Sequence, residues 1–280
     1  MDINNKEFIG KEYKCLDHGF VRLVDYMGDD AAIVQAARVS YGNGTKSVSE
    51  DTTLIRYLMR NQHTSPFEMV ELKFHIRLPI FVARQWIRHR TANVNEYSGR
   101  YSEMADDFYL PELSQLRSQS LLNKQARSDV EINSESSQII ISNMEKSQKE
   151  SYNEYQDYLE KGLAREVARI NLPLSIYTEW YWKIDLHNLF RFLKLRMDKH
   201  AQYEIQVYAK TIAEIIKQIY PISYQAFSDY ILNSVTFSQP ELSLLKIKFA
   251  NLDFSEEEIK SAGLSKSEII EFKSKIELFK

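Results

Sequence analysis

One cysteine, Cys15, eight glycines and six prolines are all that 280 residues hold of the types that most constrain a backbone. A lone thiol excludes an intramolecular disulfide framework and a cysteine-built zinc site, and it suits a reducing compartment. With so few glycines, no β-α turn carries G-x-G-x-x-G, which argues against a Rossmann cofactor site. GNGTKS (42 to 47) has the glycines of a phosphate loop without its G-K-[ST] ending. No apolar run approaches the ~18 residues of a membrane span, and MDINNKEFIG lacks the basic start and apolar stretch of a secretory leader. These features predict a cytoplasmic protein without a membrane partner. The net charge of −3 supplies no bulk field for nucleic acid, so any anion must be held by a local cluster.

What the chain does have is apolar material, 44% of residues with 12% aromatic, enough for one large domain or two small ones. FVRLVDYMG (20 to 28) alternates like a strand, and Asp29 or Asp30 caps a helix through AAIVQAARV. Ser47-x-x-Glu50 is a capping-box pattern ahead of Leu54, Ile55, Leu58 and Met59 at helical spacing. HTSPFE reads as a loop. In MVELKFHIRL, Val70, Leu72, Phe74, Ile76 and Leu78 share one strand face. Pro79 suits the first turn of a helix through IFVARQWIRHR. Residues 113 to 150, rich in Ser, Gln and Asn, read as an excursion that decorates the domain and feeds a long helix ending near Gly162. SIYTEWYWKI (175 to 184) alternates again, with Trp180 and Trp182 opposite Tyr181. Asp185 caps the first of two further helices. The order β-α-α-β-α, excursion, β-α-α-α predicts an α+β fold over residues 1–234. Residues 235–280 read as a charged extension carrying a short amphipathic helix.

RHRTANVNEYSGRY (88 to 101) concentrates the chemistry. Arg84 and Arg88 stand four apart on the predicted helix, where like charges repel unless an anion or carboxylate lies between them. Arginine dominates and lysine is absent from residues 74 to 123. Guanidinium forks hold carboxylate, phosphate or a pyrimidine edge through paired hydrogen bonds. Spacing alone leaves open a solvated basic face paired to Glu96 and Glu103. Ser98-Gly99-Arg100 offers a hydroxyl, a permissive backbone and another fork. Ser98 as a nucleophile with His89 as base lacks a G-x-S-x-G elbow. Arg165 with Arg169, and Arg196 with His200, form further four-apart pairs, which can equally serve Glu166, Asp198 or Glu204. His63 and Glu68 flank Ser65 and Pro66 in the loop. His63, His75, His89, His187 and His200 show no metal-ligand spacing.

Arg88-His89-Arg90, seven residues and then Ser98 resembles the RHR-x7-S signature of the flavin-dependent thymidylate synthases, the ThyX family. HTSPFE, PIFVARQWIRHR, NEYSGRYSE, REVARINLPL and LRMDKHAQYEIQ resemble family segments in family order, so the resemblance covers roughly residues 20 to 232. It implies a single α+β domain with a small, mainly antiparallel sheet flanked by helices, assembled as a homotetramer with shared sites. The implied reaction converts dUMP to dTMP with 5,10-methylenetetrahydrofolate as carbon donor and NADPH-reduced FAD as hydride donor. Carried over by position, Gln85, Trp86, Ile87 and Arg88, then Glu96, Tyr97, Ser98, Gly99 and Arg100, then Arg169 and Arg196 surround dUMP. Arg196 ionises the uracil ring, with Ser98 beside it in the catalytic set and not a covalent nucleophile. His63, Ser65, Glu68, Arg88, His89, Arg90 and Glu96 meet FAD. DLHNLFRF departs from the Asn-x-Arg pattern of some members, and Asp185, His187 and Arg191 join the cofactor set.

Two other readings compete. Arginines interleaved with Trp86, Tyr97 and Tyr101 are what a single-strand nucleic-acid binder uses, against which the overall acidity weighs. A flavoprotein oxidoreductase with another substrate would share the flavin site without binding dUMP.

Overall fold

The computed structural model describes residues 8–39, 48–121, 126–249 and 254–277. The phosphate-loop-like GNGTKS and the Ser47 cap lie outside them. The first elements are β1 (Glu12–Cys15), β2 (Gly19–Met27), α1 (Asp30–Arg38), α2 (Val48–Arg60), the one-turn α3 (Ser65–Glu68), β3 (Glu71–Pro79), α4 (Ile80–Trp86) and β4 (Asn93–Glu96). There follow β5 (Arg117–Gln119), β6 (Arg127–Glu131), α5 (Ser134–Glu160), the one-turn α6 (Arg165–Ala168), β7 (Tyr177–Asp185), α7 (Leu186–Arg196), α8 (Tyr203–Ile219) and α9 (Pro221–Phe227). The last three helices are α10 (Gln239–Phe249), α11 (Glu256–Ser261) and α12 (Lys266–Glu277).

Five strands form one antiparallel sheet in the order β1-β2-β3-β7-β4. β3 and β7 pair over their full length, from Glu71 opposite Asp185 to Pro79 opposite Tyr177. Alternation puts Leu72, Phe74, Ile76 and Leu78 of β3 and Trp180, Trp182 and Ile184 of β7 in one core, each at most 2% exposed. α8 closes that core against β1, β2 and α4, while α7 packs on β7. On the opposite face His75 stacks on Tyr181 at 5.0 Å and bonds Glu179 at 2.8 Å, so this histidine is part of the sheet's polar side. β2 must turn tightly into α1: Gly28 has φ +82°, and a Cβ there would stand 2.6 Å from Val70 Cγ1.

Several local readings need correction. HTSPFE contains α3, because Pro66 pre-sets the helical φ in its first turn. Pro79 is the N-cap of α4, not a residue of its first turn, and α4 contains Arg84 but ends at Trp86, short of Arg88 and Arg90. β1 and β4 were not expected; both are four-residue strands at the two sheet edges. Arg196 closes α7 and His200 lies past it, while Arg169 begins a 3-10 turn after α6, so neither pair shares one helical face. The excursion carries two strands that its composition does not announce, β5 and β6, paired antiparallel as a hairpin, while the long helix expected after it is α5, ending before Gly162 at φ +81°.

The chain divides into two compact units, Met1–Leu232 and Asn233–Lys280. The described part of the second holds three helices instead of one, each opened by a Ser-x-x-Glu box. Ser238, Ser255 and Ser265 donate their N–H to Glu241, Glu258 and Glu268 at 2.6, 2.8 and 2.9 Å.

Within the first unit, buried Asp30 caps α9 from 192 residues away in sequence: its carboxylate accepts from Ile222 N (2.9 Å), Ser223 N (3.1 Å) and Ser223 Oγ (2.6 Å). Asp30→Ala leaves those donors buried without an acceptor and is expected to lower unfolding free energy by about 3 kcal/mol. A urea midpoint that does not move shows that the cap contributes nothing.

Candidate active site

α4 is fastened by its last residue. Trp86 is 0% exposed, stacks on Phe192 at 4.6 Å and meets Trp180 and Trp182 edge-on at 5.8 and 5.1 Å. Beyond it the chain tightens: Arg88 N and His89 N donate to Gln85 O and Trp86 O at 3.4 and 2.9 Å, i to i−3 bonds that end the helix. The arginine-histidine-arginine run therefore leaves a rigid anchor and stands at the surface, with Arg88 and Arg90 exposed. The indole of Trp86 is core, so a ligand meets only its main chain. The stacking surface that a nucleic-acid reading needs from Trp86 is absent.

His89 is the half-buried member of the run. Its Nε2 accepts from Arg196 Nε at 2.9 Å and its ring meets Phe192 edge-on at 4.9 Å. An accepting Nε2 places the ring hydrogen on Nδ1. Burial, with the Arg196 and Arg191 cations beside it, pushes the imidazole down to about 4. His89 is thus a neutral acceptor that fixes the Arg196 guanidinium through Nε, leaving both Nη groups without a protein partner among the described residues. Burial also lowers the pKa of Arg196 itself.

Arg196 and Gln85 line one pocket of about 660 Å³. Gln85 Nε2 donates to Gln202 Oε1 at 2.5 Å, and Gln85 Oε1 is buried with no donor among the described residues. Across the pocket stand Arg117, Arg127 and Ser128 of the hairpin, together with Gln202. None of these was expected to serve the site.

A second group forms around Ser98-Gly99-Arg100. Gly99 is buried because Arg169 passes over it: an added Cβ would lie 3.1 Å from Arg169 Nη1 and 2.8 Å from Met104 Sδ. Arg100 Nε donates to Glu166 at 3.0 Å, Arg165 pairs with Glu103 at 3.4 Å, and Glu96 accepts from Thr178 Oγ1 at 2.9 Å. Tyr97 OH donates to Glu103 O at 2.6 Å. Ser98 Oγ accepts from Arg100 N at 3.3 Å, and no bond joins it to His89, so a serine-histidine nucleophile pair is not formed. α5 anchors the segment that follows, since Met104 exchanges hydrogen bonds with Tyr155 (3.1 Å) and Tyr152 (3.0 Å). Ser98, Gly99, Arg100 and Arg169 are not among the residues lining the 660 Å³ pocket.

Of the expected cofactor residues, His63 and Ser65 line a separate cleft, apart from His89 on Arg196 and Glu96 on Thr178. α2 ends with His63 N donating to Leu58 O at 2.9 Å and Gln62 N to Met59 O at 3.2 Å, a Schellman closure that puts Gln62 at φ +57°. A non-glycine residue there costs about 1–2 kcal/mol, and the closure delivers His63 to a cleft of about 480 Å³ shared with Ser65, Tyr57 and Met69. His63 meets Tyr57 edge-on at 5.6 Å. α3, with exposed Glu68 at its end, packs on α7. At the start of α7, Asp185 engages Asn188 N and Nδ2 at 2.9 and 2.7 Å as N-cap, His187 is half-buried and Arg191 exposed. Among the described residues Arg84, Arg88, Arg90, Arg169 and Arg191 have no carboxylate partner, and no three metal-ligating side chains converge.

The fold is thus a helix-flanked antiparallel sheet that carries a polar pocket, an apolar cleft and several arginines without carboxylate partners among the described residues, features suited to anions. The family model described as thymidylate synthase complementing protein matches residues 22–222, and the chain belongs to that family. It is 54% identical over 263 residues to a flavin-dependent thymidylate synthase of Ehrlichia ruminantium (strain Gardel), covering 94% of this chain and 87% of the relative. A Treponema denticola protein of the same name is 53% identical over 266 residues, 95% and 97% of the two chains. Among solved structures, the UMP/dUMP methylase PolB from Streptomyces cacaoi bound with 5-Br dUMP superposes with a TM-score of 0.71 at 33% identity, over 78% of this chain and 98% of that one.

Because the folded state holds His89 unprotonated down to about pH 4 while the unfolded chain protonates it near 6.5, unfolding takes up a proton between those values. The His89 contribution to stability therefore rises with pH across that window. Urea midpoints measured from pH 4 to about 7 should climb less steeply in His89→Gln than in the unaltered chain; parallel curves refute the neutral assignment.

Proposed function

We propose that this chain is a flavin-dependent thymidylate synthase that methylates dUMP to dTMP in the cytoplasm, as part of deoxynucleotide synthesis. It takes a methylene group from 5,10-methylenetetrahydrofolate and draws its reducing electrons from NADPH. Residues 1–234 form the catalytic domain and 235–280 an extension. The observation that carries the reading is Arg196, held at Nε by a neutral imidazole, with its two Nη groups unpartnered among the described residues and its side chain in a nucleotide-sized pocket beside Gln85.

The mostly apolar lining of the cleft, with His63 and Ser65 as its polar members, suits an isoalloxazine ring, and the arginines without carboxylate partners among the described residues suit a diphosphate. His63, Ser65, Glu68, Arg88, His89, Arg90 and Glu96 would hold FAD, with His187 and Arg191 at its edge. Asp185 contributes indirectly, by capping α7. Bound FAD supplies a hydride carrier reducible by NADPH.

The protein's own part is electrostatic and positional. C5 of uracil is a weak carbon nucleophile, and it strengthens as N3 loses its proton. A guanidinium fork against the ring edge stabilises the deprotonated form, each pKa unit being worth ~1.4 kcal/mol. Arg196 is that fork, and His89 keeps it oriented without adding a competing positive charge. Gln85, Arg88 and the main chain of Trp86 and Ile87 flank the nucleotide. Glu96, Tyr97, Ser98, Gly99, Arg100 and Arg169 form the phosphate and sugar cradle. The two substrate groups do not share the 660 Å³ pocket, which supports a homotetramer whose sites join the pocket of one copy to the cradle of another.

Anaerobic NADPH should bleach the FAD-loaded protein, and dUMP should shift the flavin spectrum. Arg196→Ala is expected to retain FAD and lose about 10²–10³-fold in dTMP formation. Full activity in that variant removes the role assigned to Arg196, and a protein that takes up no flavin removes the reading.

A further inference from the structure

The β5-β6 hairpin belongs to a segment whose composition reads as decoration, yet it walls the pocket that holds Arg196. One buried carboxylate ties it there. Glu204, in the first turn of α8, is 1% exposed, accepts from Tyr109 OH at 3.1 Å and pairs with Arg127 of β6. Its Oε2 has no hydrogen-bond partner among the described residues, so Arg127 is the cation that compensates the charge. A carboxylate on the apolar stripe of a helix is costly to bury alone, and removing the partner of such a pair costs more than the pair gains. Arg127 is committed from several sides: it donates to Gln115 O at 3.2 Å and lies over the Tyr203 ring at 6.0 Å. Two residues before Glu204, Gln202 holds Gln85 at 2.5 Å. A path therefore runs from the hairpin through the Arg127–Glu204 pair, and along the backbone at the start of α8, to Gln202 and Gln85.

We propose that Arg127 is a positioning residue for the nucleotide pocket: through Glu204 it sets the hairpin wall and the start of α8, and with them Gln202 and Gln85, in the geometry that receives dUMP. The inference rests on the reading of this pocket as the dUMP site. Arg127 touches no reacting atom, so its loss weakens nucleotide capture and leaves the chemical step largely intact. A merely structural role would instead lower thermal stability, flavin content and kcat together.

The test uses the full FAD-loaded chain with Arg127→Ala, Arg127→Lys, Glu204→Gln and the Arg127→Ala/Glu204→Gln double variant. dUMP affinity is read by calorimetry, and KM and kcat by dTMP formation. The expected result is a dUMP Kd and KM raised about tenfold or more in Arg127→Ala, with kcat within about threefold. Glu204→Gln, which keeps the side-chain volume, should match it, and the double variant should be no worse than either single one. Arg127→Lys should recover most of the loss, since an ammonium retains the charge opposite Glu204. Unchanged dUMP affinity in both single variants, or effects that multiply in the double variant, overturns the inference while the dUMP reading stands. Absence of dUMP binding by the unaltered chain overturns that reading first, and the inference with it.

Discussion

The burial of one indole decides where the chemistry stands. Trp86 ends α4 inside a cluster formed with Trp180, Trp182 and Phe192, so β7, α7 and α4 meet at a single residue. Aromatic pairs of this geometry add about 0.5–1.5 kcal/mol each beyond the area they bury. The indole nitrogens of Trp86, Trp180 and Trp182 find no hydrogen-bond acceptor among the described residues, which costs about 1–3 kcal/mol for each buried donor. A core that bears that cost gains shape in return. Three residues past the fixed indole, His89 reaches Arg196 at the end of the very helix on which the indole stacks. The bond forms because both partners are mounted on one aromatic cluster.

The electrostatics follow from that mounting. Arg84, Arg88, Arg90, Arg169, Arg191 and Arg196 lack carboxylate partners among the described residues, whereas Arg100 pairs with Glu166, Arg127 with Glu204, Arg77 with Asp107 and Arg38 with Asp51. A folded chain does not normally leave forks unpaired near one another, because like charges repel without compensation. His89 avoids aggravating the repulsion by remaining neutral, its pKa held down by burial and by the cations it serves. Protonation would turn an acceptor into a donor facing Arg196, so the motif needs an imidazole that does not titrate in the working range.

Periodicity made the strands and helices of the central core readable: β3 and β7 alternate cleanly, and the helices on their buried face carry apolar residues three and four apart. It failed where structure is short or made by partners far off in sequence. β1 and β4 are four residues each and gain their stability from the sheet edge they join. α3 is one turn set by Pro66. The extension carries a legible signal, since Ser-x-x-Glu recurs ahead of each of its described helices. The Ser, Gln and Asn of residues 113 to 150 read as decoration because β5 and β6 expose most of their side chains, so composition there reflects solvent. Within the site, the family-like motif named His89, Gln85 and Arg196, while their hydrogen-bond partners and the burial of Trp86 required coordinates.

Glu204 marks a boundary between those two kinds of knowledge. It sits four residues before Tyr208 and eight before Ile212 on the buried stripe of α8, so a strict apolar pattern would place a leucine or isoleucine there. A charged residue at such a position is a local inconsistency, and local inconsistencies in natural sequences gather where function or long-range pairing overrides packing. The sequence therefore does contain the clue that α8 must receive a cation from elsewhere. Which cation cannot be read from spacing, since Arg127 is 77 residues away and belongs to a segment whose composition disguises it. The stripe states that a partner is required, and only the fold brings β6 to it.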